Sequence, residues 1–81
     1  MNDADILTHI DTCVRREHEL LDRGSGGKSL SADEKKELDE LQVQLDRYYD
    51  LLRQRRAREE FGQDPDETRL RSAKTVERYL Q

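Results

Sequence analysis

Residues 37–52 read ELDELQVQLDRYYDLL, and within them Leu38, Leu41, Leu45, Tyr48 and Leu52 recur at alternating steps of three and four. At 3.6 residues per turn this spacing lays one narrow apolar stripe along a helix. A second series, Leu7, Ile10, Val14 and Leu21, lies upstream, and the glycine-rich stretch Gly24, Ser25, Gly26, Gly27, Lys28, Ser29 separates the two. Neither stripe can leave water except by packing on the other or on a partner. The spacing therefore predicts an all-α fold: an antiparallel two-helix coiled-coil hairpin, with one seam facing the other across the turn.

Local signals place the boundaries. Helix one is expected over residues 3–23, with Asn2 as N-cap, Asp3 and Asp5 in the positive first turn, and Met1 stapled to Ile6. The turn takes residues 24–30. Ser31 and Glu34 form a capping box that starts helix two, expected over 32–61, and Gly62 supplies the left-handed residue that ends it. Asp64 as cap, Pro65 at the first helical position and Glu67 three residues after the cap signal another short helical start. Ser72 caps a last segment, in which Val76, Tyr79 and Leu80 form an apolar triplet. Residues 63–81 are thus a C-terminal segment folding back on the end of helix two, near Leu52, Ala57, Phe61 and the start of helix one. Helix two is longer than helix one, so Leu52 to Phe61 should overhang.

The chain is one domain, residues 1–81. Of its 81 residues 32% are hydrophobic and 42% charged, which leaves little to bury. A seam this thin gains from a third element or from a second copy, so a monomeric three-helix fold and a dimeric four-helix bundle of two hairpins both satisfy the pattern. Net charge is −4, divided as 13 acids and 7 bases over residues 1–50 against 6 acids and 8 bases over 51–81. A general nucleic-acid binder would show a basic domain. Cys13 is the lone cysteine, which excludes an intrachain disulfide and points to a reducing cytoplasm. With no basic leader before an apolar run and no long apolar stretch, neither secretion nor membrane insertion is expected.

No constellation for catalysis stands out, and the chain is expected not to be an enzyme. Asp5, His9, Cys13 and Glu17 fall in one drifting column of metal-capable side chains, but one helix rarely closes a tetrahedral site. They read as packing and solvated positions, with no metal or cofactor. Gly26, Gly27, Lys28, Ser29 hints at a phosphate loop, yet a P-loop needs an earlier glycine and a preceding strand. Tyr48 and Tyr49 are expected opposite a polar gap in helix one at Glu17 and His18.

What remains is recognition. Arg53, Arg55, Arg56 and Arg58 form the densest positive run, and at about 100° per residue they point in several directions instead of tracking one phosphate chain. They are read either as internal ion pairs with Asp11, Glu59, Glu60 or the C-terminal acids, or as a contact with an acidic protein surface or RNA. Tyr49 is a rigid aromatic of the kind favoured in interfaces. The candidate interaction residues are Tyr49, Arg53, Arg55, Arg56, Arg58, Phe61, Asp64 and Pro65. The leading expectation is a protein–protein interaction module, with homodimerisation open. The alternative is a small factor docking on a nucleoprotein machine, ribosome or RNA polymerase, through its arginines.

The run Asp50, Leu51, Leu52, Arg53, Gln54, Arg55, Arg56, Ala57, Arg58, with Phe61, Gly62, Asp64 and Pro65, resembles the small actinobacterial domain of unknown function 2630 family. Ile6, Leu7, Ile10, Val14, Glu17, His18 and Leu20 near the start, and Val76, Glu77, Tyr79 and Gln81 at the end, carry the resemblance over nearly the whole chain. Cys13, where a larger aliphatic residue is expected, and Ser72, in place of proline, depart from it. The resemblance implies a soluble cytoplasmic actinobacterial protein and brings no activity with it.

Overall fold

The computed structural model describes residues 1–25 and 29–80, which form three helices and no strand. Residues 26–28, where part of the expected turn falls, the side chains of Ser25, Tyr79 and Leu80, and Gln81 lie outside that description. Helix α1 runs Asp3–Ser25 and α2 runs Ala32–Glu60; a 3-10 turn at Pro65–Glu67 and α3 at Ala73–Leu80 follow. Among the described residues no helix is long and apolar enough to cross a membrane.

The ends of the elements follow the local chemistry. Asn2 Oδ1 accepts from the Asp5 amide at 2.8 Å while Asp5 answers to the Asn2 amide, a reciprocal cap at the start of α1. Ser31 and Glu34 exchange the two bonds of a capping box at α2. At the other end of α2, Gly62 at φ 69° lets its amide reach Glu59 O and that of Gln63 reach Arg58 O, a Schellman closure that stops the helix after Glu60.

The two long helices pack antiparallel in one register. Arg23 meets Glu34, Arg16 meets Glu37, Cys13 Sγ donates to Gln44 Oε1, His9 stacks on Tyr48, and Asp3 meets Arg55. Glu17 and His18 therefore lie nowhere near the tyrosines. Glu17 is half-buried and His18 exposed, while Tyr48 stands against His9, ring centroids 5.0 Å apart and nearly parallel.

The seam on α2 holds, with Leu45 and Leu52 buried and Leu38, Leu41 and Tyr48 half-buried. On α1 the expected seam holds only at Ile10, which is buried, and Val14, which packs against the core. Ile6, Ile10, Cys13 and Leu20 are buried, whereas Leu7 is 54% and Leu21 48% exposed. The rotation of α1 is fixed by its polar flank: His9, Arg16 and Arg23 recur every seven residues, and all three meet partners on α2. Turning that column toward α2 brings Ile6, Cys13 and Leu20 inward and rolls Leu7, Val14 and Leu21 toward the opposite flank.

The C-terminal segment also departs from expectation. It does not cap Ala57 and Phe61, which are exposed. After the 3-10 turn it runs back along the outer face of α2: Gln54 Nε2 donates to Arg69 O, Arg47 Nε donates to Arg71 O, and Arg71 pairs with the buried Asp50. Ser72 caps α3 by accepting from the Thr75 amide. Helix α3 then packs on α2 and, among the described residues, not on α1, burying Val76 to 1% exposure.

Candidate functional site

The positive run at the end of α2 sorts by burial into two groups. Arg55 occupies the seam position three residues beyond Leu52, where an apolar side chain would ordinarily pack, and is only 5% exposed. Its Nε donates to Asp3 Oδ1 at 2.5 Å, and its Nη1 donates to Met1 O, Pro65 O and Asp66 Oδ1. The hydrogen bond to Asp3, ahead of the one to Asp66, pushes the guanidinium pKa above its ordinary value, so the charge is permanent. Arg55 joins the start of α1, the end of α2 and the 3-10 turn at one point.

Asp64 and Pro65 belong to the same joint. The Asp64 carboxylate accepts from the Asp66 amide at 2.9 Å, and the half-buried Pro65 opens the turn and offers its carbonyl to Arg55 and to Thr68 Oγ1. Arg58 donates to Glu67 at 3.3 Å. These four residues are internal connectors. The acids they use are Asp3, Asp66 and Glu67; Asp11 is paired with Arg15 instead.

The second group faces water. Tyr49, 44% exposed, and the exposed Arg53 and Arg56 follow one another at steps of four and three, a single stripe on α2. Among the described residues neither Arg53 nor Arg56 has an ion-pair partner. Phe61, 79% exposed, stands beyond the stripe at the cap of α2. Leu7 lies level with Tyr49 on the neighbouring helix and is equally open to solvent.

Sequence reasoning placed Leu7 and Leu21 in the seam and so missed them as surface. The signal was present in the two adjacent ladders, Ile6, Cys13, Leu20 and Leu7, Val14, Leu21, of which one seam can take only one. It also missed Asp50, 6% exposed and salt-bridged to Arg71, although an acid amid Tyr48, Tyr49, Leu51 and Leu52 hints at an internal partner.

Elsewhere the chemistry is subdued. Burial pushes the Cys13 thiol pKa up, which keeps it protonated. Among the described residues no three metal-capable side chains converge. An open groove of about 320 Å³ with a mixed-charge lining runs along α2 past Asp39, Glu40, Val43, Gln44 and Arg47.

Comparison with known proteins gives one consistent picture. The sequence profile described as "Protein of unknown function (DUF2630)" matches residues 2–81. An uncharacterized protein of Mycobacterium bovis and one of Mycobacterium tuberculosis are each 38% identical over 77 residues, spanning 95% of this chain and 88% of theirs. No solved structure matches the chain.

Proposed function

The chain belongs to the DUF2630 family of proteins of unknown function, and on that premise we propose that it is a non-enzymatic helical module for protein–protein interaction. The observation that carries this reading is the division of the α2 end: Arg55 and Arg58 are spent on internal bonds, while Tyr49, Arg53, Arg56 and Phe61 are held outward on a rigid helix. An aromatic and two arginines on one stripe make the kind of surface that anchors protein contacts. Fixing them on a helix lowers the entropy lost on binding. A partner with an acidic patch would complete the free guanidinium groups.

Contact with an RNA backbone is the weaker reading, because the internal use of Arg55 and Arg58 leaves two free cations on this stripe in an acidic chain. Affinity capture of the tagged chain from native lysate, with and without nuclease, tests the choice. A partner that survives nuclease and is lost with the Arg53→Glu, Arg56→Glu double variant is the expected result. Partners released by nuclease, or capture untouched by the double variant while helicity is unchanged, would overturn it.

A further inference from the structure

The rotation of α1 leaves an apolar flank without a cover. Arg16–Glu37, His9–Tyr48 and Cys13–Gln44 all cross on one side of the hairpin. At about 100° per residue, Leu7 and Leu21 on α1 and Tyr49 on α2 fall on the other side, bordered by Val14, which packs against the core, and by the seam residue Leu38. Leu7, Leu21 and Tyr49 are 54%, 48% and 44% exposed, and Val14 and Leu38 are half-buried. Among the described residues α3 packs on α2 and not on α1, and the chain leading into it follows Asp50 and Arg47 on the outer face of α2.

We infer that this flank is a self-association surface and that its occupant is a second copy of the chain, paired about a two-fold axis lying across the helices at the level of Val14. The inference rests on the interaction-module reading and names the partner of the Tyr49 stripe. Its first support is the symmetry of the patch. In the observed register Leu7 is level with Tyr49 and Leu21 lies near Leu38, so each end of the patch offers an exposed leucine of α1 beside a large side chain of α2, with the half-buried Val14 midway. A two-fold interface requires such a self-complementary surface. Leu7 of one copy then meets the partner's Leu21, and Tyr49 meets the partner's Leu38.

Charge selects the direction of pairing. Residues 32–46 of α2 carry six acids and two bases, and residues 47–60 carry five bases and three acids, net −4 and +2. An axis across the helices lays the acidic half of each α2 beside the basic half of the other. Arg53 and Arg56 come level with the partner's Asp33 and its neighbours. A standard interface takes roughly 800 Å² from each partner, a small share of the 6043 Å² that the chain exposes. The pairing leaves Phe61 free at the far end for a different protein.

Sedimentation equilibrium of the full chain is the test. The wild type is expected at twice 9.6 kDa, and the Leu7→Glu, Leu21→Glu variant at 9.6 kDa with unchanged helical circular dichroism, since both sites are exposed. A second measurement reads the axis. Leu7→Cys and Leu21→Cys proteins mixed and oxidised should give a mixed disulfide several-fold more abundant than either self-disulfide. A wild type at one-chain mass throughout, a Glu variant that stays paired, or equal self-disulfides would overturn the proposal. A one-chain wild type would still leave the lysate capture free to succeed, which separates this failure from failure of the interaction reading.

Discussion

The Arg55 guanidinium grips the Asp3 carboxylate at 2.5 Å across 52 residues of chain, from a seam position where a coiled coil would carry a leucine. The arrangement is asymmetric. Arg55 is buried, whereas Asp3 and Asp66 have side chains 52% and 71% exposed. Loss of the arginine therefore leaves acids that water can solvate, while loss of the acids leaves a guanidinium that water cannot fully reach.

Arg55→Met is accordingly expected to lower stability by about 1–3 kcal/mol, through unmade bonds to the Met1 and Pro65 carbonyls as well as the acids. Asp3→Asn should cost a comparable amount although Asp3 itself is exposed. Urea unfolding of both single variants and the double variant checks this: a coupling energy near zero would show that the two side chains do not act as a pair.

Leu20→Ala, at a site with 0% exposure, should cost about 2–5 kcal/mol, and Leu21→Ala should change stability by no more than about 0.5 kcal/mol in the isolated chain. Thermal melts at low concentration, below any pairing of copies, distinguish the two. The reverse order would place the seam on the Leu7, Val14, Leu21 ladder after all.

Acid should loosen the hairpin from its turn end. The Glu34 carboxyl is held below its ordinary value of 4.5, first by the Ser31 amide and then by Arg23, and Glu37 is held low chiefly by its hydrogen bond from Arg16. Carboxylates with depressed pKa stabilise the fold above their unfolded pKa and lose that contribution as pH falls through the folded one. Stability should thus be flat above about pH 5 and decline below 4.5. Arg16→Gln should flatten the decline, as read from urea midpoints across the acid range.

Gly62→Ala should destabilise by about 1 kcal/mol, because φ of 69° is unfavourable for a residue with a Cβ. No neighbouring atom stands in the way of the added methyl, so the penalty is conformational and not steric. Gly62→Asn, which tolerates that region better, should recover part of it in the same melt.

Asp50→Asn should release residues 69–80 without unfolding the hairpin. The buried carboxylate anchors Arg71 and accepts from Gln54, and among the described residues α3 has no contact with α1 to fall back on. Amide exchange over α3 is expected to accelerate at least several-fold while α1 remains protected.

These expectations also mark what a linear sequence can carry. The seam of α2 is legible because Leu38 to Leu52 offers one ladder and no competitor. Helix α1 offers two ladders side by side, and the choice between them is made by Arg16, Arg23 and His9 meeting partners on the other helix, information no local window contains. The caps at Asn2, Ser31, Gly62, Asp64 and Ser72 are legible because each acts within a few residues. The direction taken after Pro65 is set by Asp50 and Arg47, which meet Arg71 from more than 20 residues earlier, and is not. Arg55 sits on the heptad, yet a charge there reads as surface until its acids are seen. Asp64 and Pro65, singled out for recognition, also brace the joint around Arg55, while Arg53, Arg56, Tyr49 and Phe61 face outward.

The register of the hairpin fixes an order of assembly. The contacts between α1 and α2 span 11 residues at Arg23 and Glu34, 21 at Arg16 and Glu37, 31 at Cys13 and Gln44, and 52 at Asp3 and Arg55. Each closure shortens the loop that the next must close, so the chain zips from the turn outward at little entropic cost per step. On that order Arg55 engages last, and bonds made late in folding slow unzipping more than they speed zipping. It is a kinetic lock on the open end of the hairpin, and the lifetime of the folded state, more than its rate of formation, is what that one side chain sets.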